Sequence, residues 1–85
     1  MAKVELYTKA TCGYCMMAKR LLSRKGIAFE EYPLENDSPK FDEMVRRSGG
    51  GRTVPQIFIG DTHIGGFDDM NALERAGNLD ALLAA

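Results

Sequence analysis

Seven residues constrain this chain more than any others: Lys9-Ala10-Thr11-Cys12-Gly13-Tyr14-Cys15. Val4 to Tyr7, just before them, is apolar and β-prone, and Met16 to Lys25, just after, is helix-prone. A strand, a short turn and a Cys-x-x-Cys at the mouth of a helix is the layout of a thiol–disulfide redox motif. Both cysteines of the protein are in it. Cys12 is expected at the N-cap or in the first turn, where unpaired backbone N–H groups carry about half a positive charge. That favours a thiolate, which is the nucleophilic form. Lys9, three residues upstream, adds positive potential. Cys15 lies one turn further in and shares a face with Ala18 and Leu22, so it is expected to be buried and less reactive. An attacking thiol beside a shielded resolving thiol is the result. Gly13 and Tyr14 leave the turn open and set an aromatic beside the sulfur.

Two blander readings stand beside this one. A cysteine pair can be structural, because free cysteine behaves as a small hydrophobe. It can also be half of a zinc site, but zinc takes four ligands, and only His63 offers itself as a further one. The strand-to-helix context is what favours the redox reading.

Eighty-five residues point to one domain, 1–85, with a core of two or three layers. A net charge of −1 gives no reason to expect nucleic acid or an anionic membrane as partner. No apolar run approaches the length of a membrane span. Met1-Ala2-Lys3-Val4-Glu5 lacks the apolar stretch of a signal peptide. The expected setting is the reducing cytoplasm, where two close cysteines read as catalytic sooner than as a permanent staple.

Residues 3–7 read as a strand, central in its sheet. Residues 13–25 read as a helix with Met17, Ala18, Leu21 and Leu22 inward and Lys19, Arg20, Arg24 and Lys25 in water. Met16 and Met17 are expected to fill core, and Gly26 to cap the helix. Residues 27–32 read as a second strand, so the first three elements form a βαβ unit with a right-handed crossover. Pro33 ends or edges that strand. Asn36-Asp37-Ser38-Pro39 reads as a turn into a helix over 39–48, with Ser38 as N-cap, Pro39 at N1 and Phe41, Met44 and Val45 inward. Ser48-Gly49-Gly50-Gly51 stops it. These glycines are read as a flexible connector and not as a phosphate loop, whose lysine and hydroxyl are missing.

Ile57 to Ile59 reads as a core strand opened by Pro55, which cannot donate to a sheet. Gly60-Asp61 turns the chain into Thr62-His63-Ile64-Gly65, an antiparallel partner. His63 is read as an exposed strand residue and not as a catalyst. Asp68 is expected to cap a helix over roughly 69–76 with Met70 and Leu73 inward. The same helix start, rich in N–H groups and carboxylates, could instead take the charged groups of a ligand. Gly77 stops that helix, and Asn78 is expected to cap a last one over 79–83.

Tyr7-Thr8-Lys9, Cys12-Gly13-Tyr14-Cys15, Thr53-Val54-Pro55 and Gly65-Gly66 with Asp69, in this order and spacing, resemble a glutaredoxin of the small bacterial type. The resemblance covers essentially the whole chain. It implies a thioredoxin fold, that is, an α/β architecture with a four-stranded mixed sheet and helices on both faces, and it implies a cis bond before Pro55. It implies Cys12 as the nucleophile that forms a mixed disulfide with glutathione and Cys15 as the resolving cysteine. Lys9 matches the basic residue near the glycine carboxylate of glutathione, with Arg47 or Arg52 as helpers, and Tyr14 matches the aromatic beside the sulfurs. Thr53, Val54 and Pro55 match the edge that pairs with the cysteinyl backbone. Gly66, Phe67, Asp68 and Asp69 match the loop and helix start that hold the γ-glutamyl ammonium and carboxylate. The implied activity is glutathione-dependent reduction of protein disulfides and glutathione-mixed disulfides by a monomer. One departure is Gly13, where the commonest dithiol members have proline. A looser turn is similar to that of members that hold a [2Fe–2S] cluster between two subunits through Cys12 and glutathione, which is the alternative reading.

Overall fold

The computed structural model describes residues 2–35 and 38–85. The turn expected at Asn36 and Asp37 lies outside the described residues. The elements are β1 (Val4–Thr8), α1 (Gly13–Arg24), β2 (Glu30–Pro33), α2 (Pro39–Arg47), β3 (Gln56–Ile59), β4 (Thr62–Gly65), α3 (Phe67–Arg75) and α4 (Leu79–Ala84). The strands make one sheet in the order β2-β1-β3-β4. β1 runs parallel to β2 and antiparallel to β3, and β3 runs antiparallel to β4, so the sheet is mixed. The helices flank it, and the fold is the thioredoxin fold. Among the described residues no helix is long and apolar enough to cross a membrane.

The two central strands explain the layering. Side chains alternate between faces along a strand, and both faces of β1 and β3 are covered, so both strands are buried almost throughout. Val4, Leu6, Ile57 and Ile59 face Ala18, Leu21 and Leu22 of α1, Met70 of α3 and Leu79 and Leu83 of α4. Tyr7 and Phe58 point the other way and pack with Phe41 and Met44 of α2 and with Leu34. The first face is aliphatic. The second is aromatic and charged: the Arg47 guanidinium donates to Glu5 Oε1 at 3.1 Å and to the Tyr7 hydroxyl at 2.8 Å. Burial raises the Glu5 carboxyl, but the hydrogen bonds from Arg47 and Tyr32 outweigh it and leave the group below the usual carboxylate range.

Polar clamps tie the helices down. The buried Thr8 hydroxyl donates to Glu31 at 2.7 Å and Lys19 donates to the same oxygen at 2.9 Å, which links β1, β2 and α1. Lys25, at the end of α1, bonds Glu74 of α3 at 2.8 Å and Asp80 of α4 at 2.7 Å. Ser38 caps α2 by accepting from the Phe41 N–H at 3.1 Å, with Pro39 following as expected.

Several expectations need correction. Met16 and Met17 are 48% and 45% exposed, so neither fills core. Cys15, Ala18 and Leu22 turn one face of α1 to the sheet, and Met17, two residues from Cys15, lies about 200° around the helix from it. The 49–51 glycines are no loose connector. Gly49 N–H donates to Arg46 O at 3.3 Å and Gly50 N–H to Val45 O at 2.8 Å, which is a Schellman closure of α2. Gly49 sits there at φ 70°, a left-handed backbone that a Cβ would strain. The second strand starts at Glu30 and not at residue 27, because the Ile27 N–H is held by Leu22 O in the closure of α1. Asn78 precedes α4, but its side chain does not cap it; its backbone N–H closes α3 on Leu73 O at 2.9 Å.

Candidate active site

β1 ends at Thr8, and the chain needs only four residues to reach the N-cap of α1, which is Cys12. The turn is pinned by the Cys12 N–H donating to Lys9 O at 3.2 Å. Cys12 is extended, at φ −94° and ψ 111°, and its side chain plays the part that serine or aspartate plays at other N-caps. The Cys15 N–H donates to Cys12 Sγ at 3.1 Å. On its other side, the Cys12 thiol donates to Val54 O at 3.7 Å. Both cysteines are free thiols. Cys15 is 1% exposed and is pushed up to about 12, first by burial and then by its hydrogen bond with Cys12.

Across the groove lies the second wall. The Val54–Pro55 bond is cis. Val54 is the residue that reaches Cys12, and Pro55 is buried behind it. The β3–β4 hairpin carries an irregularity: Phe58 pairs with His63, but Ile57 pairs with Gly65. A bulge of this kind bends the strand and delivers Gly65 and Gly66 to the site. Gly65 has φ 110°, and a Cβ there would collide with the Asp69 carboxylate. That carboxylate accepts from the Gly66 N–H at 2.9 Å. Here the sequence reading is corrected: α3 begins at Phe67 with Gly66 as N-cap, and Asp69 reaches back to cap it, so Asp68 is not the capping residue. A side chain at N3 that binds the N-cap N–H is one half of a capping box, and it moves the helix start two residues upstream.

Thr53, Val54 and Pro55 form one side of an open groove of about 370 Å3, and Gly66, Phe67, Asp68 and Asp69 form the other. Tyr14 closes one end, 58% exposed, with its ring stacked on Phe67 at 6.5 Å and 27°. Lys9 and Arg52 lie elsewhere. Lys9 Nζ is 5.9 Å and Arg52 Cζ 5.1 Å from the ring centre of Phe41, on the α2 side of the sheet. Arg47 is engaged with Glu5 and Tyr7 and sits over the Phe58 ring at 4.1 Å, which makes it part of the scaffold. Positive charge therefore gathers on the α2 side and carboxylates at the start of α3.

The sequence reading missed Gln56 and His63, which also line the groove. His63 is exposed, as expected, but its Nε2 is 2.6 Å from Gln56 Oε1 and its ring stacks on Phe58 at 4.9 Å. The available signal was the alternation of the hairpin, which puts Gln56, Phe58 and His63 on one face. Among the described residues no three His, Cys, Asp or Glu side chains gather to hold a metal ion.

A dithiol at the mouth of the first helix, set against a groove walled by a cis-proline loop, defines a redox protein of the thioredoxin-fold class. The glutaredoxin family model matches residues 4–64. Glutaredoxin 3 of Escherichia coli (strain K12) is 57% identical over 83 residues, which cover 98% of this chain and 99% of that protein. The solution structure of glutaredoxin from Brucella melitensis superposes with a TM-score of 0.80 at 50% identity, covering 98% of this chain and 89% of that one. A buckwheat glutaredoxin–glutathione complex superposes with a TM-score of 0.86 at 31% identity, covering 98% and 77%. The chain belongs to the glutaredoxin family, and with it to the oxidoreductases.

Proposed function

We propose that this protein reduces glutathione-mixed disulfides and protein disulfides with glutathione as electron donor. The observation that carries the reading is the setting of Cys12. A backbone N–H and the positive end of α1 are aimed at its sulfur, which is the environment a nucleophilic thiolate needs. In the first step the Cys12 sulfur attacks the glutathionyl sulfur of a mixed disulfide. The S–S bond breaks, the substrate leaves as a thiolate and takes up a proton, and Cys12 is left bonded to glutathione. A second glutathione thiolate attacks that glutathionyl sulfur, releasing glutathione disulfide and the Cys12 thiolate. With a protein disulfide, Cys12 first bonds the substrate sulfur. Cys15 then loses its proton and displaces the substrate, closing the Cys12–Cys15 bond, which two glutathiones reopen.

The rest of the groove supports glutathione as the ligand. Val54 offers an edge to its extended backbone, a small case of strand addition. Asp68, Asp69 and the N–H groups at the start of α3 suit the ammonium and carboxylate of the γ-glutamyl end. Lys9, with Arg52, suits the glycine carboxylate on the other side. The reading also has the protein acting as a single 85-residue domain and monomer in the cytoplasm.

The test is turnover of a glutathionylated model disulfide coupled to glutathione reductase, on protein purified without air. Rapid turnover that vanishes in Cys12→Ser supports the proposal. Little turnover, with a brown dimer eluting, would replace it with the [2Fe–2S] reading.

A further inference from the structure

Gln56 has a neutral side chain that the chemistry above does not use, yet it is 6% exposed in the wall of the groove. Its amide is oriented by what surrounds it. Gln56 Nε2 donates to Thr53 O at 3.0 Å and lies 3.4 Å from Thr53 Oγ1. A carbonyl can only accept, so the amide nitrogen must face Thr53 and the amide oxygen must face away. That oxygen meets His63 Nε2 at 2.6 Å, which therefore carries a proton whether the ring is neutral or charged. Stacking on Phe58 holds the imidazole in place. Gly51 makes room for the arrangement, since a Cβ there would stand 2.9 Å from Gln56 Nε2.

The consequence lies one bond further on. The Thr53 carbonyl and the Val54 N–H belong to one trans peptide, since the cis bond of this loop is the next one. In a planar trans peptide the C=O and N–H point in opposite directions. Whatever holds the carbonyl also aims the N–H.

We propose that Gln56, braced by His63, is a positioning residue that aims the Val54 N–H for pairing with the extended backbone of the ligand. It acts through the peptide and touches no reacting atom. The proposal rests on the glutathione reading above and adds a cause for the precision of the Val54 edge.

The experiment compares wild type with Gln56→Glu and Gln56→Leu, on folded protein confirmed by thermal melts. Gln56→Glu keeps the shape, but its carboxylate cannot donate to Thr53 O. The Val54 amide resonance is expected to move in both variants. At pH near 8 the KM for the glutathionylated substrate is expected to rise about tenfold with kcat within about twofold, the scale of one hydrogen bond. His63→Phe, which keeps the stack and loses the brace, should give the same split at smaller size. A Val54 resonance that stays put, or a KM that does not change while wild type turns over, overturns the proposal. If wild type itself does not turn over glutathionylated substrate, the functional reading fails, and the Val54 resonance alone decides whether Gln56 aims the peptide.

Discussion

Cys12 and Cys15 are the same residue type one helical turn apart, and they live in different media. Cys12 sits at the N-cap, with the Cys15 N–H on its sulfur and the Val54 carbonyl beside it. Cys15 sits on the sheet side of α1 at 1% exposure, and burial pushes its thiol up to about 12. Three residues of helix rise are about 4.5 Å. Over that distance the surroundings change from a groove edge to the packing around Ala18 and Leu22. The lesson is that the surroundings of a thiol are decided by its position on the helix and not by side-chain chemistry.

The largest test of that contrast is Cys12→Ser, which should abolish turnover of both glutathionylated and protein disulfide substrates in the coupled assay. Cys15→Ser should leave deglutathionylation standing and remove dithiol reduction. If the two serine variants behave alike, the contrast is wrong. Leu22→Ala opens space in the aliphatic face of the core that α1 packs on. It should cost about 2–5 kcal/mol in chemical denaturation.

A smaller effect is alkaline. The folded chain holds the Cys15 proton to about 12 while the unfolded chain releases it near 9.0. The stability from this group is full below about pH 9 and is lost as pH rises to about 12, because the unfolded state binds fewer protons there. Cys15→Ala should lose less stability than wild type over that window, measured by denaturant midpoints at stepped pH. Smallest is Asp69→Ala, on the exposed side of the site. It frees the Gly66 N–H and should cost on the order of 1 kcal/mol, as other cap losses do.

Much of this was legible in the residues because the relevant forces are local. An N-cap cysteine followed three positions later by a second one must place them on one side of the first turn. Ser38-Pro39 had to open a helix, and Gly26, Gly49 and Gly77 close α1, α2 and α3 with backbone at positive φ. Two of the errors fell where elements meet. Met17 belongs to a plausible helical stripe, and only the angle at which α1 lies on the sheet sends it to water. Asp68 is as good a cap as Asp69 by composition, and the bulge that sets Gly66 decided between them.

What the sequence determined by itself, then, is the strand-turn-helix around Cys12, the glycine stops of α1, α2 and α3 and the alternation that buries β1 and β3, since each depends on residues within a turn or a strand pair of one another. What only the tertiary structure decided is the groove: Val54 against Cys12, 42 residues apart, Tyr14 against Phe67, and Gln56 braced by His63. Those contacts are made by side chains and peptides from separate elements, and their distances are fixed only when α1, β3 and α3 pack on one sheet.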